Sequence, residues 1–138
     1  LMIKENDLAS MDDSSLENDK KIAQIIQTLE LDDGSSFIEI EVRNEKEAIT
    51  AAAVWQQTHE NAETKLVVML DNFGPERCKD VVKQLDDMGL REAVILEASG
   101  NITFEKLGEW FECGVDVIST SAINRGVKPL DISMIIGD

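Results

Sequence analysis

Short apolar runs alternate with segments of helical period along this chain, and that alternation restricts the fold more than any other feature. The plainest run is KLVVML (65–70), nearly continuous in its apolarity, as expected of a parallel strand buried on both faces. LMI (1–3) reads as the end of a strand, and FIEIEV (37–42) alternates as one. AVILEA (93–98), VDVIS (115–119) and DISMII (131–136) supply three more. Between them, Ile22, Ile25, Ile26 and Leu29 recur at helix spacing within 15–29, where Ser14 and Glu17 make a capping box. Asn44 caps a helix over 45–57 with an alanine-rich face. Pro75 suits a first helical turn; Cys78, Val81, Val82, Leu85 and Met88 form the buried stripe, and Gly89 the C-terminal cap. Thr103 begins a helix with Phe104, Leu107 and Phe111 on one side, ended by Gly114, and a short helix or turn follows around 121–126. Trp55, Trp110 and the phenylalanines read as core.

Repeated β-α units imply right-handed crossovers and a parallel sheet, so the fold class is α/β. Polar residues recur where strands end. Lys4 follows the first strand, Glu39 and Glu41 share one face of the second, and Asp71 ends the third. Glu97 and Ser99 end the fourth, and Ser119, Thr120 and Ser121 follow the fifth. In a β/α barrel these C-terminal strand ends build the active site, and an open doubly wound sheet would use the same ends.

Each group suggests a chemistry. Glu41 and Asp71 can accept hydrogen bonds from sugar hydroxyls, or help hold Mg²⁺ together with substrate phosphates. Ser99-Gly100-Asn101 and Thr120-Ser121-Ala122 are small-residue loops in equivalent places one unit apart, suited to offering N–H groups to a phosphate. Lys4 is the cation placed to meet an anion there. Plainer readings stand beside these: Asp71 as a helix cap, Glu39 as a structural acid, small residues as turns. His59 reads as exposed at a helix end, and no nucleophile-base pair is visible.

Composition narrows the function classes. The chain carries 28 acids against 13 Lys and Arg, a net charge of −15, which opposes nucleic acid as a partner. No stretch approaches the ~20 apolar residues of a membrane span, and nothing resembles a signal peptide, so a cytoplasmic location is expected. Cys78 and Cys113 fit no metal-ligand spacing and read as reduced structural thiols. The chain begins at Leu1, already within strand-like sequence, and reads as part of a longer protein.

The motifs IKEN (3–6), IEIEV (38–42), VMLDNFGPE (68–76), LEASGNIT (96–103), CGVDVIS (113–119) and KPLDISMII (128–136) together resemble quinolinate phosphoribosyltransferase, in that family's order and across nearly the whole chain. The resemblance implies an incomplete β/α barrel of TIM type over 1–138, with an N-terminal sandwich domain and the first barrel strands outside this chain. It implies that quinolinate and phosphoribosyl pyrophosphate become nicotinate mononucleotide, pyrophosphate and CO₂, with Mg²⁺, in a dimer or higher oligomer with shared sites. By motif, Lys4 matches a substrate-contacting lysine, Glu41 and Asp71 the acids on the ribose, and Ser99, Gly100, Asn101, Thr120, Ser121 and Ala122 the loops that hold the 5′-phosphate. Asp7 stands where the family usually has His, Asn101 and Ser121 where it has Gly, and Arg125 near its usual His. The remaining cations would lie upstream, leaving this chain alone inactive. The alternatives are a homologous barrel of molybdenum-operon type with an altered substrate, and a non-catalytic paralogue acting through a partner.

Overall fold

A computed structural model of the chain describes residues 1–10, 16–31 and 34–124. Five strands form one sheet: β1 Met2–Ile3, β2 Phe37–Val42, β3 Lys65–Asp71, β4 Val94–Ser99 and β5 Val117–Ile118. They lie in sequential order, each parallel to the next. Right-handed crossovers combined with an order that never reverses place every connecting helix on the same side of the sheet. A doubly wound sheet requires a reversal, whereas sequential order is that of a β/α barrel wall. The described part is therefore an arc of such a wall. The expected strand over 131–136, Arg125 and Ser14 all lie outside the described residues.

The helices are α1 Glu5–Ala9, α2 Asn18–Thr28, α3 Glu45–His59 and α4 Pro75–Asp87. Their inner faces cover Ile38, Ile40 and Val42, Leu66, Val68 and Leu70, and Leu96 and Ala98, all fully or almost fully buried. Ile22 and Ile26 of α2, Ala48, Ala51, Ala52 and Trp55 of α3, and Cys78, Val81 and Leu85 of α4 complete this core. Each large aliphatic side chain buried here stabilises the fold by about 1.5–3 kcal/mol. Val67 and Met69, on the other face of β3, are buried too, which accounts for the unbroken apolar run.

Local signals explain most boundaries. Asn44 caps α3 as expected: its Oδ1 accepts from the Glu47 N–H at 3.0 Å, while Glu47 Oε1 accepts from Asn44 Nδ2 at 2.7 Å. Glu47 is buried, and its other oxygen accepts the Arg43 N–H at 2.8 Å, so the carboxylate is satisfied. Gly89 adopts φ +68 after α4, letting the Leu90 N–H reach the Leu85 carbonyl at 2.8 Å. The helix α1 is too short to leave a periodic signal. Asp7 holds its start by accepting the Lys4 backbone N–H at 2.8 Å, and the buried Lys21 of α2 donates to the Leu8 carbonyl at 2.9 Å.

Several expectations change. Residues 104–110 form 3₁₀ turns rather than an α-helix. At three residues per turn, Phe104, Leu107 and Trp110 align and Phe111 falls off the line. Trp110 is buried, but Phe104 and Phe111 are exposed, as is Phe37; of the four phenylalanines only Phe73 joins the core. Met88 is exposed because α4 ends one residue before it. The strand β5 is two residues long, shorter than the expected 115–119. His59 is half-buried, its ring stacked on Trp55 at 4.5 Å and its Nδ1 2.6 Å from the Thr58 hydroxyl.

Both cysteines are free and buried. Burial pushes the Cys78 thiol up to about 12, with a smaller upward push from Cys113 that Arg77 opposes. Among the described residues, no helix is long and apolar enough to cross a membrane.

Candidate functional site

At the C-terminal ends of β3, β4 and β5 the chain leaves the sheet in loops that enclose a cleft of about 550 Å³. It is lined by Asn72, Ser99, Gly100, Asn101, Ile102, Ser119, Thr120, Ser121 and Asn124. These described lining residues are all uncharged, so an anion here would meet dipoles and hydroxyls rather than a cationic side chain. The two small-residue loops come together. The Thr120 hydroxyl donates to the Ile102 carbonyl, and the Ala122 N–H donates to Thr120 Oγ1 at 3.0 Å. Ala122 lies beside a smaller cavity of about 90 Å³ that shares Asn101, Ile102 and Ser121 with the main cleft.

The loop after β4 depends on its glycine. Gly100 has φ +97, and a Cβ there would press on the Asn72 side chain and lie 2.9 Å from the Asn72 backbone nitrogen. Asn72 itself has φ +57 and Asn101 φ +54, the left-handed region that asparagine tolerates better than most residues. The Asn72 N–H donates to the Ser99 carbonyl at 2.9 Å, so the loops after β3 and β4 are tied at their bases.

The acids sit beside this cleft on the sheet face away from the helices. Glu41 is in register with Met69, Glu97 with Met69 and Val117, and Asp71 with Ser99. Period-two alternation then points Glu39, Glu41, Glu97 and Asp71 to the same side. The Cα atoms of Glu41 and Asp71 are one strand and two residues apart, about 8 Å. Burial, and next the charge of Glu97, push the Glu39 carboxyl above its ordinary range; Lys4 opposes this. Lys4 is thus placed near the acids although it is exposed and outside the cleft lining. Glu41 accepts from Arg43 Nη2 at 3.4 Å.

Asp71 does not cap a helix: the N-cap of α4 is Gly74, and Asp71 Oδ2 instead accepts from Asn72 Nδ2 at 2.9 Å. The segment that carries it is anchored by the buried Phe73, over whose ring the Arg77 guanidinium lies at 4.2 Å while its Nε bonds Glu45 at 2.8 Å. Of the residues singled out from sequence, Ser99, Gly100, Asn101, Thr120 and Ser121 line one cleft, with Ala122 next to it. Asp71 ends the strand that leads into this cleft, while Glu41 lies one strand farther along the sheet and Lys4 follows the strand beyond it. Asn72, Ile102 and Asn124 were missed; Asn72 followed by Gly74 was the available sign of a left-handed turn. Asp7 is exposed and accepts the Lys4 backbone N–H. No three His, Cys, Asp or Glu side chains among the described residues converge as a metal site.

The C-terminal domain model of quinolinate phosphoribosyl transferase matches residues 1–135. A probable carboxylating nicotinate-nucleotide pyrophosphorylase of Archaeoglobus fulgidus is 34% identical over 134 residues, covering 97% of this chain and 45% of that protein. One from Bacillus subtilis is 34% identical over 137 residues, covering 97% and 39%. The solved nicotinate-nucleotide pyrophosphorylase of Francisella tularensis superposes with a TM-score of 0.62 at 31% identity, covering 92% of this chain and 38% of that one. The chain thus spans less than half the length of these relatives. With its sequential parallel sheet and paired small-residue loops, it belongs to the quinolinate phosphoribosyl transferase C-terminal domain family.

Proposed function

We propose that this chain supplies the sugar-phosphate side of a carboxylating nicotinate-nucleotide pyrophosphorylase that joins quinolinate to phosphoribosyl pyrophosphate in NAD biosynthesis. The observation that carries the proposal is the convergence of residues 99–101 and 119–121 on one uncharged cleft beside a row of acids. The cleft holds the 5′-phosphate through hydroxyls and loop N–H groups. Asp71 and Glu41 accept from the ribose hydroxyls, and Lys4 meets an anionic group of substrate from the rim. Binding the sugar at several points fixes C1′ for in-line attack, which is where most of the rate gain arises.

In the reaction, a bond forms between the pyridine nitrogen and C1′ as the bond from C1′ to pyrophosphate breaks. Positive charge grows on the sugar, and the carboxylates of Glu41 and Asp71 favour it. The ring carboxylate next to the nitrogen then leaves as CO₂. The electron pair stays beside the cationic nitrogen until a proton replaces it. Glu41 and Asp71 would hold Mg²⁺ jointly with substrate phosphates. Bound in that way, the ion would neutralise the departing pyrophosphate.

The uncharged cleft and net acidity of the chain favour an assembly in which the rest of the protein, or a second subunit, brings the cations for quinolinate and pyrophosphate. We place this homodimer or higher oligomer in the cytosol. Calorimetric titration of the intact protein with phosphoribosyl pyrophosphate and Mg²⁺ tests the reading: saturable binding is expected, and no heat at millimolar ligand would end it.

A further inference from the structure

We infer that Asn72 and Asn101 form an amide clip that positions the Asp71 carboxylate relative to the phosphate loop. The inference rests on the phosphoribosyl reading above and assigns to it two positioning residues. Asn101 Nδ2 donates to Asn72 Oδ1 at 3.0 Å, and Asn72 Nδ2 donates to Asp71 Oδ2 at 2.9 Å. The direction of the chain is set by chemistry. An ionised carboxylate only accepts, so the Asn72 NH₂ must face Asp71 and its oxygen must face Asn101. One side chain thereby links the acid at the end of β3 to the loop after β4.

Three further features converge on the same contact. The Asn72 N–H bonds the Ser99 carbonyl at 2.9 Å, at the base of that loop. Gly100, lacking a Cβ, lets the Asn72 side chain lie against the loop backbone. Asn72 and Asn101, whose amides meet, both hold left-handed φ. Glycine at position 101 would satisfy the backbone and lose the clip. A ligand that spans acid and loop, a sugar phosphate, gains from a fixed spacing between them; inorganic phosphate, held by the loop alone, does not.

The test uses the intact protein, with ribose 5-phosphate and inorganic phosphate titrated separately. Asn72→Gly and Asn101→Gly keep positive φ accessible, so the turns persist. Asn101→Gly, which removes one hydrogen bond, is expected to weaken ribose 5-phosphate about threefold to tenfold, and Asn72→Gly, which removes two, at least as much. Inorganic phosphate should lose less affinity than ribose 5-phosphate, and the double variant should bind as Asn72→Gly does, since the same linkage is already broken. Asn72→Asp keeps an acceptor for Asn101 but sets a like charge against Asp71, and should lose more ribose 5-phosphate affinity than Asn72→Gly. Unchanged ribose 5-phosphate binding in the single variants, equal losses for both ligands, or additive losses overturn the clip while leaving the phosphoribosyl reading intact. Failure of the unmodified protein to bind ribose 5-phosphate overturns both.

Discussion

The two faces of the sheet obey opposite rules. On the helix side, β2, β3 and β4 present only aliphatic residues and Ala98, all almost completely hidden from water. On the other side the same three strands present Glu39, Glu41, Asp71, Glu97 and Ser99 together with Phe37, Lys65, Val67, Met69 and Ile95. One strand thus does two jobs at alternate residues, because its side chains alternate in direction. Stability is concentrated on one side and chemistry on the other, so substitutions one residue apart should report different properties.

The largest expected effect is on the helix side. Leu96→Ala should lower unfolding free energy by about 2–5 kcal/mol, measured by urea denaturation, because the cavity cannot collapse between sheet and helices. A loss below ~1 kcal/mol would mean that this face is looser than its burial implies. Next comes Asp71→Asn on the open face. It should weaken ribose 5-phosphate binding by roughly tenfold to a hundredfold, the worth of a charged hydrogen bond, while leaving the denaturation midpoint nearly unchanged. Unfolding without a specific binding loss would make Asp71 a structural residue and erase the contrast between faces.

The smallest effect should be a gain. The Glu39 carboxyl titrates higher in the fold than when unfolded, so the unfolded chain ionises first as pH rises. The penalty is absent below its ordinary value of 4.5 and complete above the raised value in the fold. Glu39→Gln should therefore stabilise the protein modestly at neutral pH, with the gain vanishing in acid. Denaturation midpoints at neutral pH and below pH 4.5 check the sign, and a gain that persists in acid would show that packing, not charge, is responsible.

Much of this was legible in the residues themselves. Asn44 and Glu47 announced their helix start, Gly89 its stop after α4, and the run over 65–70 a strand covered on both sides. Each is a local signal with a local cause. The strand order was not local, yet it decided between a barrel wall and a doubly wound sheet. The 3₁₀ turns over 104–110 escaped because an apolar spacing of three fits either helix type, and only tertiary packing chose Trp110 over Phe111. Around the cleft, the loops over 99–101 and 120–122 were readable as small residues after strands. Asn72 was not, because its part depends on a neighbour 29 positions away in sequence.

Cys78 has a practical consequence. Its sulfur is wholly enclosed beneath α4, and its proton is held far more tightly than in an ordinary thiol. Alkylating reagents act on exposed thiolate, so at neutral pH this side chain should react only while the helix is lifted from the sheet. The rate of Cys78 labelling in the native protein is thus an internal clock for that opening, built into the chain without any engineered residue.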